Sequence, residues 1–272
     1  SVFHSIAAFN NSGFDILGGL QNLIPYQKNV LLNLTTCGLI IFGGLGFLVI
    51  LDVKRCRGSF RKLSLNSKVV ITTTIALLLS GTLLLKATED MSWMGAFFHS
   101  VSARTAGFST YPMGELTNAG LFTLTVLMFI GASPGSTGGG IKTTTFFALM
   151  QDVRSVFTKQ RPGAFHRTIS AESMGKAPVI ALLSMLVVCV GTFLLCILEP
   201  ECTFIQLLFE EVSAFGTVGL STGITPNLCV LSKLIIILTM FTGRVGAFTL
   251  LSIWIDRPEA SAHYTEESIT IG

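Results

Sequence analysis

Three twelve-residue segments of this chain follow one pattern: a Phe, a Gly ten residues later, then Phe or Leu. They are residues 3–14, 97–108 and 209–220, beginning at Phe3, Phe97 and Phe209 and carrying Gly13, Gly107 and Gly219. Each is too short to cross a bilayer as a helix, which takes about 20 apolar residues. Each also ends in a Gly-containing stretch that continues a helix poorly. Yet each copy lies beside runs that are long enough to span. A fold for this chain must therefore hold short, broken segments among full spans, three times over.

Half of the 272 residues are hydrophobic and 12% are charged, with a mean hydropathy of +0.69. Soluble domains carry about 25% charged residues, so the composition is that of a membrane protein. The formal charge of +3 is not gathered into a stripe of the kind that binds nucleic acid. The six cysteines contain no C-x-x-C pair and no His at zinc spacing. Cys37, Cys189 and Cys196 fall in apolar runs and read as small hydrophobes; Cys202 and Cys229 lie at a membrane edge where a disulfide is conceivable but unsupported. The chain starts at Ser1, inside the first copy of the repeat, and reads as a fragment lacking an N-terminal part.

Residues 30–51 are 22 uncharged positions, roughly 33 Å of helix, and form the first expected span. Residues 52–68 follow with Lys54, Arg55, Arg57, Arg61, Lys62 and Lys68, a cytoplasmic loop by the positive-inside rule. The span 69–85 leads out to Lys86, Glu89 and Asp90, with Trp93 suited to the interfacial aromatic belt. Residues 118–150 are apolar but broken at 131–142, where Gly and Pro oppose a continuous helix. Arg154, Lys159, Arg161, Arg167 and Lys176 mark a second cytoplasmic loop, 177–198 is another span, and 228–255 returns inward, interrupted at Gly243-Arg244-Val245-Gly246. The polar tail 256–272 is then cytoplasmic. With 11 of the 18 Lys and Arg residues in the two inner loops, every copy of the repeat enters and leaves from the outside.

A short helix that descends from outside leaves the negative end of its dipole at mid-depth. Non-helical backbone is tolerated there only when it is buried in protein or lines a watery path. Carbonyls arranged around an axis can replace a cation's hydration shell, and Gly lets backbone come close in unusual conformations. Asn11, Ser12 and Gly13, Thr105, Ala106 and Gly107, and Thr217, Val218 and Gly219 are thus the candidate ion-binding residues. A lone Gly in a Ser/Thr-rich loop is more often a plain turn; three copies in one register make the case.

These segments resemble the Trk/Ktr/HKT superfamily of potassium or sodium transporters, all-α polytopic membrane proteins built of helix, re-entrant pore helix, filter loop and helix around a pseudo-four-fold pore. The likeness spans essentially the whole chain and looks closest to the bacterial Ktr-type membrane subunit. It implies that residues 1–51 are the remainder of a second repeat, 52–152 a third, and 153–272 a fourth with a short tail. It further implies K+ (or Na+) as transported ion with no cofactor, residence in the cell membrane with a cytoplasmic C-terminus, pairing as a homodimer, and a cytosolic nucleotide-binding regulatory ring. Gly135, Ser136, Thr137, Gly138, Gly139, Gly140 and Lys142 look like the family's intramembrane gate, and Arg244 like its pore-facing Arg. The glycines also suit small-residue helix packing, and Arg244 also suits snorkelling. Arg104 must point away from a cation path, toward an acid such as Glu115, Glu210 or Asp15.

Two other classes are open to such a sequence. Residues 135–143 superficially resemble a phosphate-binding loop, but that motif needs Gly immediately before Lys and Ile141 stands there; His4 and His99 lie near Ser only at the tops of the short helices. An enzyme is not expected. A secondary transporter with broken helices, or a Na+-selective or Na+-coupled member of the same superfamily, is the standing alternative. The copies run in one direction, which favours a channel-like pore for K+ uptake.

Overall fold

The computed structural model describes residues 2–18, 21–246, 248 and 249. The tail 256–272 and the end of the expected span 228–255 lie outside them. The order is α1 Val2–Phe9, α2 Val30–Leu45, α3 Phe47–Arg55, α4 Leu65–Thr88, α5 Trp93–Ser102, α6 Asn118–Phe129, α7 Thr143–Thr158, α8 Ala171–Leu198, α9 Phe204–Phe215 and α10 Val230–Val245. A two-residue hairpin, β1 Gly163–Ala164 with β2 Arg167–Thr168, interrupts the helices between α7 and α8.

Among the described residues, two helices are long and apolar enough to cross a membrane, α4 and α8. They contain the expected spans 69–85 and 177–198, and start earlier because Ser64 and Ser170 cap them by accepting from Ser67 N and Ser173 N. Asn29 and Thr117 cap α2 and α6 in the same way. Two of the three short repeat helices, α5 and α9, are the buried ones, while α1 buries only Ala7 and Ala8. In α5, Phe98, His99, Ser100 and Ser102 are 0% exposed, and in α9 so are Phe209 and Glu211. In the long α8, by contrast, Leu182 and Phe193 are 71% and 65% exposed. That inversion is what a bilayer demands: spans offer apolar side chains to lipid, while helices that stop at mid-depth hide their open ends in protein.

The helix pairs α4/α6 and α8/α10 are tied alike at one end. Glu89, the C-cap of α4, accepts from Thr117 N (3.1 Å) at the start of α6, and Glu199, the C-cap of α8, accepts from Cys229 N (2.7 Å) at the start of α10. The Cys229 N–H holds the Glu199 carboxyl below its usual range. Cys202 and Cys229 are both free thiols, so no disulfide joins them.

One span differs from expectation. Residues 30–51 are not a continuous helix: α2 and α3 meet at Gly46 with a bend of 92°. Gly46 has φ +85°, and a Cβ there would stand 2.6 Å from the Pro134 carbonyl oxygen. The elbow exists because the glycine-rich segment 130–142 packs into it, with Phe47 N donating to Gly135 O (3.2 Å). The last span breaks within the expected stretch 243–246, at its final residue. α10 runs through Gly243 and Arg244 unbroken and stops at Gly246, φ +94°.

Candidate ion pathway

The first and third short helices hand over to their loops by the same backbone turn, and the middle one by a turn one residue different. Asn11 N bonds Ala8 O (3.2 Å) and Thr217 N bonds Ala214 O (2.9 Å); Ser12 N bonds Ala7 O (3.0 Å) and Val218 N bonds Ser213 O (2.9 Å), while in the middle copy Ala106 N bonds Ser102 O (2.9 Å). The residue two before each glycine then takes positive φ: Asn11 +51°, Thr105 +77°, Thr217 +49°. So do the glycines: Gly13 +66°, Gly107 +80°, Gly219 +94°. Positive φ is a genuine outlier for a β-branched Thr, costing about 1–3 kcal/mol, so the surroundings must enforce it. Ser213 Oγ accepts from Gly219 N (3.2 Å) and Ser102 Oγ donates to Phe108 O (2.5 Å), pinning the loops to their own helices.

The loops are neighbours in space. A Cβ on Gly13 would stand 2.6 Å from Ala106 O, and one on Gly107 would run into Val218 O. The order 13, 107, 219 therefore follows an arc. The Asn11 amide reaches Thr105 Oγ1 (3.3 Å) across the first junction. On one side of the arc lies a cavity of about 780 Å³ whose lining includes Gly107, Gly219, Asp15, Glu115 and Lys233.

On the other side lies the segment 130–142. Ile130 and Ile141 make a parallel backbone bridge that closes its neck. Gly138 faces the Thr105 hydroxyl so closely that a Cβ has no room, and a Cβ on Gly139 would be 2.5 Å from Thr217 Oγ1. Ser133 N donates to Gly44 O (3.1 Å) and Thr137 N to Gly43 O (3.5 Å). Arg244 Nη1 donates to Thr137 O, and Lys142 Nζ to Gly138 O (2.7 Å). Gly135 sits against Phe47 in the α2–α3 elbow, while Ser136 and Gly140 complete the turn, Gly140 at φ +70° beside Gly131. The segment thus touches all three units and covers the loops from one side.

The residues singled out in sequence are therefore together, with one exception. Arg104 has no carboxylate partner among the described residues. Glu210 is taken by Ser221, Thr222 and Thr225, and Asp15 and Glu115 line the cavity on the far side. Arg104 instead points to Gly131 O (3.5 Å). His99 is equally structural: Nδ1 bonds Gly95 O (2.9 Å) and Nε2 accepts from Thr110 N (3.4 Å).

Sequence reasoning passed over Gly43 and Gly46. A Cβ on Gly43 would strike Phe9 O, the end of α1, and one on Gly243 would strike Phe215 O, the end of α9. The spacing Gly43–Gly46 repeats as Gly243–Gly246, and setting those two spans side by side reveals it.

Comparison with known proteins agrees with this geometry. The family described as "Cation transport protein", TrkH, matches residues 1–89 and 60–262. The chain belongs to the TrkH family. Its relatives include the potassium/sodium uptake protein NtpJ of Enterococcus hirae, 38% identical over all of this chain and 64% of that protein. The Ktr system potassium uptake protein B of Vibrio alginolyticus is also 38% identical, over all of this chain and 62% of its own length. The crystal structure of the potassium transporter TrkH from Vibrio parahaemolyticus superposes with a TM-score of 0.74 at 19% identity, covering 93% of this chain and 57% of that one, which establishes a shared fold. This chain spans under two thirds of the length of these relatives. Membership in this family, and not the unrelated secondary transporter, sets the frame for the site.

Proposed function

We propose that this chain supplies three walls of a channel-like pore for K+ uptake, with carbonyls of Asn11–Ser12, Thr105–Ala106 and Thr217–Val218 as ion ligands around Gly13, Gly107 and Gly219. The observation that carries the reading is the shared positive-φ pattern at neighbouring glycines, since a cation is stripped of water only by carbonyls converging from several sides. The ends of α1, α5 and α9 add negative dipole ends, and Asp15 and Glu115 lie in the cavity opposite the segment 130–142.

The segment 130–142 is the gate. It lies against Thr105 and Thr217 and is fastened by cations, Arg244 and Lys142, that oppose a second cation in the path. Na+ is the second reading, because one relative is a potassium/sodium uptake protein. The basic loops 52–68 and 151–176 face the cytoplasm together with the tail, where a nucleotide-binding ring docks, and the membrane subunits pair as a homodimer.

The test is uptake by the full-length protein in cells that lack their own K+ uptake systems. Growth at low K+ with 86Rb+ influx is expected. Na+ influx without 86Rb+ influx would replace K+ by Na+, and influx of neither would remove the pore reading. Recovery of the membrane protein without any nucleotide-binding partner would remove the ring.

A further inference from the structure

Arg104 is a full positive charge in the one place a cation pore should avoid. It follows α5 directly, adjoins Thr105, and is 7% exposed. A buried cation without a carboxylate is costly unless dipoles and hydrogen bonds replace water. Two are at hand. The guanidinium stands just past the C-terminal end of α5, where a helix is negative, and Nη2 lies 3.5 Å from Gly131 O.

Gly131 is not an arbitrary acceptor. It adjoins Ile130, whose bridge to Ile141 closes the neck of the segment, and its own Cα packs against Gly139 and Gly140 so tightly that a Cβ would hit Gly139 O. Arg104 therefore holds the neck. The tip is held otherwise, by the exposed Arg244 on Thr137 O and by the half-buried Lys142 on Gly138 O. The corresponding positions in the other copies carry no charge: Asn10, which bonds its own helix at Ile6 O (2.9 Å), and Gly216. One of the three copies differs from its neighbours.

We infer that Arg104 is a positioning residue that clamps the neck of the segment 130–142 to the third filter loop, leaving only the tip at Thr137–Gly139, under Arg244, to move. This rests on the filter reading above.

The experiment measures ion-dependent melting of the purified full-length protein in K+ and in Na+ at matched ionic strength. Wild type should be stabilised by K+ at lower concentration than by Na+. Losing a hydrogen bond to a charged group costs about 1.5–3 kcal/mol, so Arg104→Gln should raise the K+ half-saturation about tenfold or more and narrow the K+/Na+ difference. An unchanged K+ half-saturation in Arg104→Gln overturns the clamp and leaves the filter intact. No K+-specific shift in wild type overturns the filter and the clamp with it. Should Arg104→Gln fail to fold, Arg104→Lys decides: it keeps the charge but not the guanidinium's reach. A several-fold weaker K+ response in it supports the clamp, and wild-type behaviour overturns it.

Discussion

Gly139 lies under Thr217 with no room for a side chain between them: a Cβ would stand 2.5 Å from Thr217 Oγ1, 2.9 Å from its Cγ2 and 3.1 Å from Gly216 O. The glycine-rich segment and the loop of the third copy of the repeat are therefore one packed unit. Gly139→Ala forces Thr217 or the segment to shift, and overpacking of this kind costs about 1–3 kcal/mol. The K+/Na+ flux ratio of the full-length protein should fall about tenfold. A ratio equal to wild type in Gly139→Ala would mean that the two parts move independently.

Gly219→Ser tests the filter itself. At φ +94° a side chain is strained whatever the space, at about 1–3 kcal/mol, although a Cβ would meet nothing nearer than Gly107 Cα at 3.9 Å. The change should thus act through the backbone and lower K+ preference over Na+ while leaving the protein assembled. Rubidium and sodium influx measured side by side check it, and unaltered selectivity removes Gly219 from the ion path.

Arg244→Gln frees the tip of the segment by removing its bond to Thr137 O. Flux should rise several-fold with the K+/Na+ ratio retained, since Arg244 is exposed and bonds the segment and not the filter loops. Single-channel or vesicle flux recordings distinguish this from a loss of flux, which would assign Arg244 to conduction instead of closure.

Gly46→Ala should destabilise more than Gly58→Ala. Both glycines have positive φ, +85° and +74°, but a Cβ at Gly58 meets open space and one at Gly46 meets Pro134 O at 2.6 Å. The Gly58 change costs the backbone term alone, about 1–3 kcal/mol; the Gly46 change adds a clash with main chain. Melting temperatures of the two variants in detergent make the comparison, and equal losses would show that the elbow adapts.

Glu199→Gln should flatten the acid limb of stability. The carboxyl is held below its usual range in the folded protein by the Cys229 N–H, so the unfolded chain binds its proton first as pH falls. Its stabilisation is full above the unfolded value, about 4.3, and is lost as pH drops through the folded value. Wild type and variant should therefore differ most near neutrality and converge in acid. A gap that widens toward low pH contradicts the sign.

Much of the architecture was legible in residues 3–14, 97–108 and 209–220 and in the uncharged runs beside them, because a bilayer allows few shapes and hydropathy is read locally. The break at 131–142 was legible for the same reason, since Gly and Pro act on their own turn of helix. The elbow at Gly46 was not. Within residues 30–51 nothing local forbids a helix; the bend comes from Pro134 and Gly135, almost ninety residues away. Arg104 shows the same limit. Its charge and its place after α5 are sequence facts, but its partner is a backbone carbonyl 27 residues further on, and a carbonyl leaves no mark in the amino-acid code. The sequence by itself determined the repeats, the long spans α4 and α8 and the family resemblance. The tertiary structure decided what they press against, because close packing between segments distant in the chain depends on where each is placed and not on what each is made of.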